Sequence, residues 1–78
     1  MQKGKYVIVI MRHAFIRAMQ RGVDPYLLER TLQTGSMKKF GKNRLKIEKK
    51  FKEFTIRCVD EIIGNTLKIV TITKKVKR

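Results

Sequence analysis

Cysteine is nearly absent from this sequence. Cys58 stands alone, so no intrachain disulfide can form, and with His13 as the one histidine there is no Cys/His set for a structural zinc, which takes four ligands. Long apolar runs are missing too. Tyr6 to Met11, behind Lys3 and Lys5, is shorter than the 7 to 15 residues of a signal-peptide core and far short of the roughly 20 of a membrane helix. Both absences point to a reducing, cytoplasmic setting without a membrane partner. Repeats and low-complexity linkers are likewise lacking. The 78 residues are therefore read as one domain, with an ordered core over about 5–73 and a fraying basic tail at 74–78. So short a chain has a thin core, which argues against a deep cofactor pocket, and no cofactor is expected.

Negative charge is the scarcest commodity. Six Asp and Glu face twenty Lys and Arg, giving a formal charge of +14 and a pI of about 10.6. The excess is uneven, at net +4 over residues 1–35 and +10 over residues 36–78. Such a field favours a polyanionic partner, and charge alone does not separate nucleic acid from an anionic surface or an acidic protein. With 42% hydrophobic residues the chain has enough apolar material to fold.

The apolar pattern changes period along the chain. Tyr6-Val-Ile-Val-Ile10 is a continuous β-branched run, expected as a strand buried on both faces. From Arg12 to Gly22 the spacing becomes helical: Ala14, Phe15, Ile16, Ala18 and Met19 share one apolar arc, and His13, Arg17, Gln20 and Arg21 share the opposite one. Asp24-Pro25 then supplies an N-cap and a first-turn proline for a second helix, with Leu27, Leu28, Thr31 and Leu32 as its buried stripe and Gly35 as its stop.

Beyond Gly35 the period is two. Met37–Phe40 leads through a Gly41-Lys42-Asn43 turn to Arg44–Phe51, where Leu45, Ile47 and Phe51 alternate with Arg44, Lys46, Glu48 and Lys50. Lys52-Glu53 suits a tight hairpin. Phe54, Ile56, Cys58 and Ile62 then alternate with Thr55, Arg57 and Glu61, with Asp60 and Glu61 read as loop charges. Gly64-Asn65 is a two-residue hairpin signal, and Leu67–Thr73, apolar on both faces in its middle, reads as a central strand. The pattern predicts an α+β domain: an N-terminal strand and two helices packed on one face of a three- to five-stranded, mainly antiparallel sheet.

His13, Arg17 and Arg21 are each four apart and line up along the first helix, where like charges at that spacing repel. A phosphate would offset the repulsion, since guanidinium groups clasp it bidentately and histidine is the side chain that exchanges protons near neutral pH. The competing reading packs His13 at the helix start and pairs the arginines with Glu48, Glu53, Asp60 or Glu61. Lys38, Lys39, Lys42, Arg44, Lys46, Lys50 and Arg57 make the strand half a cationic region interleaved with Phe40, Phe51 and Phe54. Exposed rings there would stack bases, but burial preference assigns all three, with Tyr6 and Tyr26, to packing. Cys58 reads as a small buried hydrophobe.

The run His13-Ala14-x-x-Arg17-x-x-x-Arg21-Gly22-Val23, together with the closing Ile69-Val70-Thr71-Ile72, resembles a widespread prokaryotic family of small domains that is grouped by fold with RelE- and ParE-like toxins and related ribonucleases. The likeness spans about residues 6–73. It implies a RelE-like helical pair on an antiparallel sheet, RNA, free or ribosome-bound, as substrate, and an acidic antitoxin as partner. It carries a functional role to His13, Arg17 and Arg21 and a hydroxyl contact to Thr71. The basic end, Lys74 to Arg78, lacks the terminal aromatic or histidine that RelE-like toxins often use. The expected chemistry is metal-independent endoribonuclease cleavage. A non-catalytic nucleic-acid-binding module and a ParE-like protein-binding inhibitor stand as the alternatives.

Overall fold

The computed structural model describes residues 2–76. In chain order the elements are β1 (Gln2–Lys3), β2 (Tyr6–Ile10), α1 (Arg12–Gln20), α2 (Pro25–Thr34), β3 (Ser36–Phe40), β4 (Arg44–Lys50), β5 (Phe54–Ile63) and β6 (Thr66–Val76). Among the described residues they form one six-stranded sheet in the order β1-β2-β6-β5-β4-β3, parallel at β2–β6 and antiparallel elsewhere.

This corrects the expected three- to five-stranded sheet carrying a helical layer. Strands take up 53% of the described residues, the helices are short, and the sheet curls into a half-barrel. The helices meet different strands, α1 along β6 and α2 against β4 and β5. The physical reasons lie in the long strands. β5 and β6 run 10 and 11 residues, and right-handed twist accumulates along such a pair. Their register also shifts, since Val59 faces Thr71 and Asp60 faces Ile69, leaving Val70 as an extra residue. A bulge of this kind bends its strand and deepens the twist. β1 escapes a reading by period because two residues carry none.

The bulge also explains why the centre of β6 looked apolar on both sides. Leu67 and Ile69 point into the core, and after Val70 the phase changes so that Ile72 points inward as well. These three join Ile8, Ala14, Ala18, Leu28, Leu32, Leu45, Ile47, Ile56 and Cys58 in one core cluster. β2 is not buried on both faces as expected. Ile8 is buried, whereas Val7 and Val9 are exposed because neither helix packs on their side of the sheet.

The helix signals act where the sequence placed them. Asp24 Oδ1 accepts from Leu27 N at 2.8 Å at the start of α2, and Leu28, Thr31 and Leu32 are buried. The buried arc of α1 is narrower than its pattern suggested. Ala14 and Ala18 are buried, but Phe15 and Ile16 remain 38% and 45% exposed, since a nine-residue helix on a curling sheet meets it along one line. Tyr26, expected in the packing, is exposed, while Tyr6 packs against the core edge. Lys74 to Val76 are not a fraying tail: they continue β6 opposite Ile56, Thr55 and Phe54. The rest of that tail, Lys77 and Arg78, lies outside the described residues.

Candidate nucleic-acid interface

α1 ends in a Schellman-type turn. Val23 N donates to Ala18 O at 2.8 Å and Gly22 N to Met19 O at 3.1 Å, and Gly22 takes φ of 81°, a conformation that favours glycine. The turn leaves Arg21 beside the free edge of β6, where its Nη1 donates to Ile72 O at 2.6 Å. β2 pairs with β6 only as far as Ile69, and Arg21 bonds to β6 beyond the end of that pairing. One guanidinium bond is thereby spent on orientation, and the remaining donors stay available.

His13, Arg17 and Arg21 line a hollow of about 310 Å³ whose other wall is Val70, Thr71 and Ile72 of the bulged segment. Four residues that the sequence singled out therefore meet: the helical line of three, and Thr71 from 50 residues further along the chain. Among the described residues no carboxylate lines this hollow. Among the described residues, no pairing of Arg17 or Arg21 with Glu48, Glu53, Asp60 or Glu61 is found. The ion pair among the described residues is Arg57 Nε to Glu48 Oε2 at 2.8 Å. That hydrogen bond, with Lys46 and Lys50 nearby, holds the Glu48 carboxyl below the usual range against the opposing effect of its partial burial.

The predicted basic strand residues divide by register. Lys38, Lys46 and Arg57 line a second hollow of about 320 Å³ with Phe40 and Val59, on the sheet face turned away from the helices. Arg44 and Lys50 alternate with the buried Leu45 and Ile47 and so share that face. Lys39 does not, since it sits opposite Leu45 on the core-facing side of β3, and Lys42 lies in the β3–β4 turn. Two residues were missed. Phe40, assigned to the core, is 41% exposed, whereas Phe51 and Phe54 stack on each other at 5.0 Å and pack against the core. Lys75, assigned to the tail, lines a smaller hollow with Glu48, Thr55, Arg57 and Thr73. Period-two alternation carried past Thr73 would have found Lys75.

Asp60 and Glu61, expected as solvated loop charges, both lie within β5, and Asp60 points inward. It continues the inward alternation of Ile56 and Cys58 in β5, is fully buried, and neither carboxylate oxygen has a hydrogen-bond partner. Burial pushes its pKa up to about 7. Burial, with the Asp60 charge nearby, raises the Cys58 thiol to about 12, which fits an inert core residue.

No family model matches this sequence, and neither the curated proteins nor the solved structures provide a match. No described helix is long and apolar enough to cross a membrane.

Proposed function

We propose that this protein acts on RNA, holding a backbone phosphate in the hollow between α1 and β6 and cleaving the chain without a metal. The observation that carries the reading is the composition of that hollow. His13, Arg17, Arg21 and Thr71 line one space that no carboxylate among the described residues borders, and Arg21 is already oriented by Ile72 O. Fixed cations around an open space are complementary to phosphate, and more so to the charge that gathers on it during transfer.

In the proposed reaction His13 takes the proton from a ribose 2′-hydroxyl, the 2′-oxygen bonds to phosphorus, and the bond from phosphorus to the 5′-oxygen breaks. The leaving oxygen takes a proton from solvent, and the product ends are a 2′,3′-cyclic phosphate and a 5′-hydroxyl. Arg17 and Arg21 stabilise the phosphorane charge, with Thr71 as a further donor. DNA lacks the attacking hydroxyl and would be bound but uncut. The same reading places the protein in the cytoplasm, where a charge of +14 would also favour capture by an acidic protein partner.

The test is incubation with labelled RNA in EDTA. Wild-type protein is expected to give cyclic-phosphate ends, and His13→Ala to lose about 100-fold or more in rate while keeping RNA affinity within a few-fold. Equal cutting by His13→Ala removes His13 from the chemistry. RNA that is bound and never cut reduces the function to a non-catalytic binding module.

A further inference from the structure

β3 is the outermost strand on its side of the sheet, and each of its five residues is exposed. Its alternation puts Lys38 and Phe40 on the face turned away from the helices. A single exposed apolar side chain needs no explanation by itself. Phe40 differs in its company, for it lines one hollow with Val59 and three basic residues, Lys38, Lys46 and Arg57, the last of them paired with Glu48. A flat apolar ring among cations matches the two faces of a nucleotide, a base that stacks and a phosphate that carries charge.

The strand register ties this hollow to the one on α1. Lys38 is paired with Lys46, Lys46 with Val59, and Val59 with Thr71, so the four form a straight row across β3, β4, β5 and β6. Thr71, the last of the row, lines the hollow that holds His13, Arg17 and Arg21. Three strand spacings make the row about 14 Å long. It contains no acidic residue. Of the two flanking rows on this face, one runs Glu48 to Arg57 to Thr73, with its carboxylate engaged by Arg57, and the other runs Phe40 to Arg44 to Glu61 to Lys68, with Glu61 placed between two basic residues.

We infer that this row is a track for single-stranded RNA, with one unpaired base stacked on Phe40 and the backbone led over Lys38 and Lys46 to the α1–β6 hollow. The inference rests on the phosphate reading of that hollow and adds the class of RNA. A duplex keeps its bases inside and presents phosphates only, so it meets the cations and not the ring.

Fluorescence anisotropy with a labelled, unstructured oligoribonucleotide of about 10 nucleotides, beside a blunt RNA duplex of the same length, tests this. Phe40→Ala is expected to weaken single-strand binding about five- to tenfold, Phe40→Trp to retain it, and duplex binding to stay within about twofold for both. Arg17→Ala should weaken both ligands. Unchanged single-strand affinity in Phe40→Ala overturns the track, as does an equal loss for single strand and duplex. Loss with Phe40→Ala but none with Arg17→Ala supports the track and overturns the phosphate reading of the hollow. Binding of neither RNA by wild-type protein overturns both. Thermal melting checks the fold of each variant, and Phe40→Leu, which keeps apolar volume without an aromatic face, replaces Phe40→Ala if the latter unfolds.

Discussion

Asp60 sets two opposed requirements against each other at a single residue. Its place in β5 follows from alternation, which turns it into the core between Leu45 and Ile69, where a carboxylate finds no donor. The folded chain therefore favours the protonated acid, and between the ordinary value of 3.8 and about 7 it binds more protons than the unfolded chain. The stability that Asp60 allows is fully present below about pH 4 and declines as pH rises through about 7. Asp60→Val, which keeps a β-branched strand residue, is expected to raise stability at pH 8 by roughly 2 kcal/mol and to add much less at pH 4. Urea unfolding of both proteins at the two pH values measures the difference, and an equal gain at both would contradict the account. Cys58 beside it yields a simpler expectation. With its thiol near 12 and buried, it should resist a thiol reagent at pH 8 in the folded protein and react once the chain is unfolded in urea.

At the scale of elements, the decisive joint lies where α2 turns into the sheet. Gly35 closes α2 through Gly35 N to Thr31 O at 2.8 Å, and a Cβ there would collide with Thr31 O, with Glu48 O at 2.9 Å and with Ile47 Cγ2 at 3.0 Å. The glycine is thus required by a close approach of helix to β4. Its φ of −70° is open to any residue. Gly35→Ala is expected to cost about 1–3 kcal/mol by pushing α2 off β4, measured as a lower urea midpoint. Asp24→Ala, which removes the cap on Leu27 N, should cost about 1 kcal/mol. The α2 boundaries were legible because caps are local chemistry. The buried width of α1 was not, since Phe15 and Ile16 carry the same periodic signal as Ala14 and Ala18, and only the line along which β6 meets the helix separates them.

For the whole molecule, charge predicts how RNA binding responds to salt. If Lys38 and Lys46 on the row and Arg17 and Arg21 at the hollow each neutralise one phosphate, the slope of log affinity against log salt should be near −3 for a single strand, at about 0.7 per contact. Lys46→Gln should lower the slope by about 0.7, while Lys39→Gln, on the other side of β3, should leave it unchanged. Titrations at several salt concentrations give both slopes, and a flat response would argue against phosphate contacts altogether.

Composition and spacing alone determined the basic character, the two helices with the Asp24 cap of the second, the hairpin at Gly64-Asn65, and the line of His13, Arg17 and Arg21. Each is set by charge, by torsional preference or by neighbours within a few residues. Tertiary structure decided the rest. It closed six strands into a half-barrel, brought Thr71 to the helical line, left Phe40 in solvent beside three cations and put Asp60 in the core. A period of two assigns residues to opposite faces of a strand. Which face is covered, and which strands lie side by side, depends on pairings between residues distant in the chain, and on a bulge at Val70 that no local rule marks.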